Sequence, residues 1–313
     1  MVKSVFIFPG QGSQYTGMGK ELAAFSAAAG DIFEEADDLL GFALSDLVFN
    51  GDEMQLRRTE VTQPAILTVS MAILAVLREY GIIPDGTAGL SLGEYSALVC
   101  AKSLSFAAAL PLVRKRAIYM QEAIPYGKGG MAAVLGLSAE DVATVCRASL
   151  SCGLVEPVNY NCPGQIVIAG HREALEEACR LVKEKKGKTI MLSVSAPFHS
   201  SLLSNIKEKM TSLLEKTAIH IPEIPFIANT GAGYLNDPET IRDSLIKQVY
   251  SPVLWEDTIR HFISDGYNTF IEAGPGRALT GFVKKIDKNA VALHVENEET
   301  LKKLINYLEV APL

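Results

Sequence analysis

Cysteine is scarce in this sequence, and its arrangement excludes two kinds of site. The 313 residues include five cysteines, an odd number, and no two of them are spaced as C-x-x-C. A disulfide framework needs an even set, and a structural zinc site needs closely spaced ligands. We therefore predict a protein of the reducing cytoplasm without a disulfide framework or a zinc site. We also expect no other metal and no cofactor. The cysteines are Cys100, Cys146, Cys152, Cys162 and Cys179.

The sequence also lacks an excess of positive charge. It has 29 Lys and Arg residues against 36 Asp and Glu residues, which gives a formal net charge of −7. Its densest basic segment, KEKKGK at 183–188, is typical of a solvated helix end. Because nucleic-acid surfaces need clustered cations to hold phosphates, we expect no nucleic-acid partner.

Apolar runs long enough to cross a bilayer are missing as well. The stretch AILTVSMAILAVL at 65–77 contains Thr and Ser and is shorter than the roughly 20 apolar residues of a membrane span. It predicts a buried core helix. The opening MVKSVFIFPG has too few apolar residues for a signal sequence and predicts a first strand, so we expect no membrane partner.

Short apolar runs alternate with amphipathic helical patterns along most of the chain. We predict strands at 4–10, 86–91, 224–229 and 269–274, separated by helices. This alternation is typical of an α/β protein whose sheet is mostly parallel.

The pattern changes between residues 131 and 196, where it predicts the order β-α-β-β-α-β. This order defines the ferredoxin-like unit, a sandwich that folds on its own core. Its flanks, PYGKGG at 125–130 and APFHS at 196–200, contain the Gly and Pro of hinges. We therefore expect an inserted small domain at 129–197 and a larger domain made of 1–128 and 198–313.

One short segment, GLSLGEYSA at 89–97, suggests a nucleophile. Ser91 stands between Gly89 and Gly93, after a predicted strand and before a predicted helix. A G-x-S-x-G turn in this context holds the serine in a sharp bend that exposes its hydroxyl, which is the nucleophile elbow. The motif alone is equally compatible with a serine that only caps a helix.

Three further segments bear on this choice. The loop FPGQGSQ places Gln11 after the first strand, and it matches neither G-x-x-x-x-G-K-[ST] nor G-x-G-x-x-G. Its backbone amides suit an oxyanion hole. In APFHS, His199 follows the predicted small domain, and in RKRAIYMQEA either Arg114 or Arg116 is placed to point into a cleft.

Together these segments resemble the malonyl-CoA:acyl carrier protein transacylases, a family of acyltransferases. The resemblance covers nearly the whole chain and includes seven segments in order. They are FPGQGSQ, GLSLGEYSA, RAIYMQEA, NYNCPGQIVIAG, APFHS, QVYSPVLW and IEAGPGRALTG.

The resemblance implies an α/β-hydrolase-like core with a ferredoxin-like lobe and a ping-pong transfer of malonyl groups. Ser91 would attack the malonyl thioester, and His199 would act first as base and then as acid. The amides of Gln11 and Leu92 would hold the oxyanion. Arg116 would bind the malonyl carboxylate. The partners would be malonyl-CoA and an acyl carrier protein, in fatty-acid synthesis, and the enzyme would be monomeric.

Three more residues complete the predicted site. No acidic third member of a triad is evident, and in the resembled family a backbone carbonyl near Gln248 orients the histidine. Asn161 and Phe198 would contact the substrate, with the Phe198 ring narrowing the space at the malonyl α-carbon. Acyl carrier proteins are acidic, so a local basic patch should receive them; its candidates are Lys186, Lys188, Lys284 and Lys285.

One position departs from the family pattern, and three alternatives stay open. The family commonly has histidine before the serine, whereas this sequence has Leu90. Discrete acyltransferases of polyketide pathways resemble this variant. A thioesterase could use the same elbow, although a hydrolase of neutral acyl chains would not need Arg116. A non-catalytic carrier-binding protein would tolerate loss of Ser91 or His199, and both are present.

Overall fold

A computed structural model describes residues 3–194 and 196–310, and these residues form two four-stranded sheets. The main sheet contains β1 (Ser4–Phe8), β2 (Gly86–Gly89), β7 (Thr269–Ala273) and β8 (Val291–Val295), and the small sheet contains β3 (Gly129–Leu135), β4 (Val155–Cys162), β5 (Gln165–His171) and β6 (Lys188–Met191).

Helices surround both sheets. They are α1 (Lys20–Phe25), α2 (Ala27–Leu40), α3 (Leu44–Asn50), α4 (Glu53–Leu56), α5 (Thr59–Glu79), α6 (Gly93–Cys100), α7 (Phe106–Glu122), α8 (Ala139–Ala148), α9 (Arg172–Glu184), α10 (Lys207–Glu215), α11 (Pro238–Gln248), α12 (Trp255–Ser264), α13 (Ala278–Ile286) and α14 (Glu298–Val310), with 3-10 turns at Leu150–Cys152 and Ser201–Ile206.

The main sheet is parallel throughout, in the order β2-β1-β7-β8. All residues of β1, β2 and β7 are buried, as expected for strands covered by helices on both faces. Phe8 pairs with Gly89 in the register of β1 and β2, so the loops after these two strands start side by side. Parallel α/β sheets bind ligands at this carboxyl edge. The predicted α/β class is confirmed.

Two details of the predicted main sheet are wrong. Residues 224–229 were expected to form a strand, but only the single bridge between Thr87 and Phe226 joins them to the sheet. The segment folds back on itself, because Leu235 N–H donates to Phe226 O and Ala228 N–H donates to Gly233 O. In addition, the edge strand β8 was not predicted.

The small sheet has the order β4-β5-β3-β6 with antiparallel pairing, which is the ferredoxin-like arrangement of two interleaved βαβ units. Successive side chains of β3 face opposite sides. Ala132 and Val134 pack under α8 and α9, whereas Met131 and Ala133 join the main core. The small sheet thus has its own core on one face and packs against the main core with the other.

Helix α5 is the central helix of the main core and covers the predicted helix at 65–77. It is long and apolar enough to cross a membrane, but 89% of its most apolar window is buried inside the protein. The rest of the protein core therefore covers the apolar surface of this helix.

Candidate active site

Ser91 lies in a sharp turn between β2 and α6. Its φ of 54° falls in the left-handed region, which non-glycine residues adopt at a cost in free energy. Two glycines permit the turn: a Cβ on Gly89 would lie 1.9 Å from the Gly93 carbonyl carbon, and one on Gly93 would lie 2.1 Å from Phe8 O. The local geometry is that of a nucleophile elbow.

Asn229 holds this turn from the opposite side. Its Oδ1 accepts a hydrogen bond from Ser91 N–H at 2.6 Å, and its Nδ2 donates to Gly89 O at 2.6 Å. Asn229 is fully buried and lies 138 positions from Ser91 in the sequence. A long-range side chain therefore fixes the backbone on both sides of the bend.

His199 completes a serine–histidine pair. The distance from Ser91 Oγ to His199 Nε2 is 2.6 Å, and His199 Nδ1 lies 2.7 Å from the backbone oxygen of Gln248. A carbonyl oxygen can only accept, so Nδ1 carries the proton and Nε2 is the free acceptor. Ser91 Oγ–H consequently donates to the histidine, which is the arrangement that a general base needs.

The environment keeps His199 neutral. Burial lowers the pKa of the imidazole to about 3, and the positive charge of Arg116 adds to this effect. The hydrogen bond to Gln248 O acts in the opposite direction but is weaker. Neutral imidazole is the form that accepts a proton from serine.

Arg116 lies on α7 and is fully buried. Its Nη2 donates to Gln248 Oε1 at 2.7 Å and to Ser91 Oγ at 3.2 Å, and its Nη1 donates to Gln63 Oε1 at 2.7 Å. Burial lowers the pKa of Arg116. Of the two candidate arginines, this is the one that reaches Ser91; Arg114 stacks over the ring of Phe42 instead.

A cavity of about 240 Å³ opens beside Ser91, between the main core and the small sheet. Gln11, Leu90, Asn161, Phe198 and His199 are part of its lining. The Asn161 Oδ1 atom is buried and has no partner among the described residues, so an acceptor is available there. Leu90, in place of the family's histidine, makes its part of the wall apolar.

The two predicted oxyanion donors lie at adjoining positions. Gln11 follows β1 and Leu92 follows Ser91, and β1 and β2 are neighbours in the sheet. Within the described residues, no hydrogen bond to a protein acceptor uses the backbone N–H of either one. Ser91 N–H, in contrast, is already bonded to Asn229.

Three residues of this network were not predicted. Gln63 bonds Arg116, Asn229 holds the elbow, and Glu94 accepts a bond from Gln248 Nε2 at 2.7 Å. Glu94 falls inside the segment GLSLGEYSA, so a buried acid one turn after the serine was the available signal. Gln63 and Asn229 meet the site through long-range contacts that no local pattern specifies.

Of the predicted docking lysines, Lys285 lies at the cavity. Its Nζ is 3.5 Å from Oε1 of Gln165, a lining residue. Lys188 starts β6 and Lys186 precedes it in the small domain, while Lys284 and Lys285 belong to the last turn of α13. Across the part of the chain that the structure describes, no cluster of His, Cys, Asp and Glu is arranged to hold a metal ion.

This fold and this serine–histidine geometry define an acyl-transfer enzyme, and comparison with known families agrees. The family model described as "Acyl transferase domain" matches residues 5–305. The chain belongs to this acyltransferase family, within the group of malonyl CoA-acyl carrier protein transacylases. The resemblance found from the sequence motifs is thereby confirmed.

The relatives cover almost the whole chain. A malonyl CoA-acyl carrier protein transacylase of Bacillus subtilis (strain 168) is 46% identical, over 99% of this chain and 98% of its own. The crystal structure of a malonyl CoA-acyl carrier protein transacylase from Clostridium perfringens has a TM-score of 0.95 at 43% identity and covers 98% of each chain. A malonyl-transacylase solved in complex with a type II PKS acyl-carrier protein has a TM-score of 0.95 at 39% identity, over 97% of this chain and 99% of that one.

Proposed function

We propose that this chain is an acyl-carrier-protein S-malonyltransferase that serves fatty-acid biosynthesis. It moves a malonyl group from malonyl-CoA to the phosphopantetheine thiol of acyl carrier protein through an acyl-serine intermediate. One observation carries the proposal: Ser91 Oγ has a neutral imidazole 2.6 Å away and a guanidinium 3.2 Å away. The names of the relatives support the choice of malonyl and of the carrier.

The first half-reaction uses the serine and the histidine. Ser91 Oγ attacks the thioester carbonyl while its proton passes to His199 Nε2. The backbone N–H groups of Gln11 and Leu92, which have no protein acceptor, would stabilise the oxyanion that forms. When the intermediate collapses, the C–S bond breaks, the thiolate of CoA takes the proton from His199, and malonyl-Ser91 remains.

Arg116 distinguishes malonyl from neutral acyl groups. Its Nη2 contacts Ser91 Oγ in the free enzyme. The malonyl carboxylate enters with malonyl-CoA, before Oγ becomes an ester oxygen, and binds to the same side chain. A guanidinium can hold a carboxylate through two parallel hydrogen bonds. This cation thus selects acyl groups that carry a carboxylate during the acylation step itself.

The second half-reaction reverses the first with a different thiol. His199 takes the proton of the carrier's phosphopantetheine thiol, and the thiolate attacks the malonyl ester of Ser91. The bond between the acyl carbon and Ser91 Oγ then breaks, Oγ takes the proton from His199, and malonyl leaves as the thioester of the carrier. Asn161 and Phe198 would contact the acyl group and the pantetheine in the cavity. A backbone carbonyl stabilises an imidazolium less than a carboxylate does, which suits an ester that must wait for a thiol.

The two domains play different roles in this proposal. Residues 1–128 and 198–313 form the catalytic core, and residues 129–197 form a lobe that closes over the acyl group. The position of the cavity supports this division of roles, because the cavity lining includes Gln11 of the core and Asn161 of the lobe. We further propose that the enzyme is a cytoplasmic monomer that acts apart from membranes, in line with the free state of its five cysteines.

A polyketide pathway is the second candidate setting. The malonyl-transacylase solved with a type II PKS carrier supports this second setting, because its structure is as similar to this chain as that of the Clostridium perfringens enzyme. The reaction is the same in both settings. Rates with fatty-acid and polyketide carriers from the same source organism would assign the pathway.

The reaction class is tested by intact mass spectrometry. Brief exposure to malonyl-CoA should add the mass of one malonyl group to the enzyme. When holo acyl carrier protein is added, the enzyme should lose this mass and the carrier should gain it. Ser91→Ala should abolish the adduct, because no other hydroxyl has this elbow. Ser13→Ala is the matched control, since Ser13 lines the same cavity but bonds Gly10 O.

Three outcomes decide between the candidates. A malonyl adduct on the Ser91→Ala variant would refute the nucleophile. An adduct that disappears at the same rate without carrier would identify a hydrolase. Carrier binding with no adduct at all would identify a non-catalytic binding protein.

A further inference from the structure

Glu94 is a buried acid for which the proposed chemistry has no use. It lies in the first turn of α6, is fully buried, and is not part of the cavity lining. Its Oε2 accepts two hydrogen bonds, from Gln248 Nε2 at 2.7 Å and from Asn229 N–H at 3.1 Å. Both donors belong to residues that already hold Ser91 or His199.

The Gln248 side chain connects Glu94 to the reacting groups. Its Nε2 also donates to Ser91 O at 2.9 Å, and its Oε1 accepts from Arg116 Nη2 at 2.7 Å. Both amide hydrogens of Gln248 are therefore in use, one on the elbow and one on the carboxylate. The amide bridges an acidic group on α6 and a cationic group on α7.

Removing the carboxylate would leave one of these hydrogens buried without an acceptor. Such a group turns or shifts until it finds a partner, because a buried unpaired donor is costly. The amide oxygen moves with it, and Arg116 then loses the acceptor that directs Nη2 toward Ser91. The backbone oxygen of Gln248, which orients His199, is fixed separately by the end of α11.

We propose that Glu94 is a positioning residue that holds Arg116 in line with Ser91 through the side-chain amide of Gln248. It thereby sets the preference for acyl groups that carry a carboxylate. This inference rests on the proposed role of Arg116. Glu94 touches neither the acyl group nor CoA, so its effect is transmitted by hydrogen bonds alone.

The two Glu94 variants to compare are Glu94→Met and Glu94→Gln. Methionine fills a similar volume but offers no oxygen. Glutamine keeps one oxygen that can accept both existing bonds, and its amide nitrogen takes the place of Oε1, which has no partner among the described residues. We expect Glu94→Met to lower kcat/KM for acylation by malonyl-CoA about 10- to 100-fold and that by acetyl-CoA less than about threefold. Glu94→Gln should restore most of the malonyl preference.

A double-mutant cycle with Gln248→Met tests the route of the effect. Gln248→Met alone should cause the same selective loss, and adding Glu94→Met to it should change the malonyl-to-acetyl ratio no further. Equal losses for both acyl groups in Glu94→Met, additive effects in the double variant, or a Glu94→Gln variant as unselective as Glu94→Met would each overturn the inference. If Glu94→Met does not fold, Glu94→Asp takes its place, because the shorter side chain withdraws the oxygen from Gln248 Nε2. Glu94→Asp should then show the selective loss of malonyl acylation, and an unchanged malonyl-to-acetyl ratio would overturn the inference.

Arg116→Ala measured in parallel separates this inference from the proposed function. If Arg116→Ala leaves the malonyl-to-acetyl ratio unchanged, the carboxylate role of Arg116 itself fails. If Arg116→Ala removes the preference and Glu94→Met keeps it, the proposed function stands and the positioning role of Glu94 is refuted.

Discussion

Arg116 is a charged residue with no exposed surface, and its hydrogen bonds all go to neutral groups. No carboxylate lies within ion-pair distance among the described residues. Burying a guanidinium is expensive unless it is paired, and the acid of Glu94 reaches Arg116 only through the Gln248 amide, so the place of a direct counter-ion is left for a charged ligand. The malonyl carboxylate supplies the missing charge in the proposed reaction.

The first prediction at this scale concerns Arg116→Ala. Removing one partner of a buried charge pair costs about 3 to 5 kcal/mol, so malonyl transfer should fall by about two to three and a half decades. Acetyl transfer has no carboxylate to leave unpaired and should be spared. The measurement is kcat/KM for malonyl-CoA and acetyl-CoA. Arg114→Ala, on the same helix but stacked over Phe42, should leave the ratio unchanged.

The second prediction concerns the pH dependence set by His199. The pKa of this residue is lowered to about 3, so the imidazole stays neutral and able to accept a proton as the pH falls through the usual histidine range near 6.5. The acylation kcat/KM should therefore remain flat from about pH 8 to about pH 5. A malonyl thioester of N-acetylcysteamine avoids the titration of CoA phosphates. An acid limb with its midpoint near 6.5 would contradict the neutral, buried base.

The three residues that the structure brings together at Ser91 could be located from the sequence because they lie in dense local patterns. Ser91 has two glycines around it, His199 follows Pro-Phe at a predicted hinge, and Arg116 stands in an apolar helix. Asn229 and Gln63 have no comparable local signal. Their contacts with Ser91 and Arg116 span 138 and 53 positions of sequence, and such pairings depend on the completed fold.

At the scale of elements, the turn from β2 into α6 depends on two glycines that perform the same function. Gly89 and Gly93 let the strand, the bend and the helix approach at distances that no Cβ allows. The strain at Ser91 is balanced by the bonds from Asn229. The bend that exposes the Ser91 hydroxyl therefore costs conformational free energy in this same segment.

The third prediction uses this geometry. In Gly93→Ala the new Cβ would lie 2.1 Å from Phe8 O, so the strand and the helix must separate. We expect the free energy of unfolding to fall by more than about 4 kcal/mol, or the chain not to accumulate. Thermal melting of the purified variant gives the measurement.

The matched control is Gly281→Ala. Gly281 lies inside α13, and its Cβ would meet open space. There alanine should raise the free energy of unfolding by about 0.5 to 1 kcal/mol, because it favours the helix over the unfolded chain. Equal stability of the two alanine variants would show that the elbow tolerates a wider approach.

Sequence patterns predicted where apolar segments lie better than which of these segments pair as strands. The apolar run at 224–229 is buried at Phe226, Ile227 and Ala228, as a strand would be, yet it makes only two backbone hydrogen bonds with Thr87 of the main sheet and two with its own continuation at 233–235. Burial selects apolar residues in a strand and in a buried loop alike. The strand β8 forms because β7 offers it an edge, and its own five residues carry only a short pattern.

At the scale of the whole molecule, the small sheet and the loops of the main sheet line the cavity together. The small sheet contributes Met131 and Ala133 to its wall, and the loops after β1 and β2 contribute Gln11 and Ser91. Glu156 of β4 also accepts hydrogen bonds from the backbone N–H and the hydroxyl of Ser201, which follows His199 closely. The small sheet therefore contacts the reaction site both through the cavity wall and through this pair of hydrogen bonds.

The fourth prediction concerns docking of the acidic carrier. Lys285 lies beside Gln165 at the cavity. Lys285→Glu should raise the KM for holo acyl carrier protein about three- to tenfold and weaken its dependence on salt, because rim charges act mainly on association. Acylation by the phosphate-free malonyl donor should change little.

Lys216→Glu is the control for net charge. Lys216 is exposed at the end of α10 and does not line the cavity. If both variants raise the KM for the carrier equally, the effect comes from total charge and Lys285 has no special place in docking.

The partner that orients His199 is a main-chain oxygen, the carbonyl of Gln248 at the end of α11. Every amino acid carries this oxygen, so no change of the codon for position 248 can delete it. In an enzyme that uses an aspartate here, a single base change suffices to disarm the histidine. In this chain the same damage requires an insertion, a deletion or a displaced helix end. The orientation of His199 thus depends on the path of the backbone, and a point mutation can change it only by displacing that backbone.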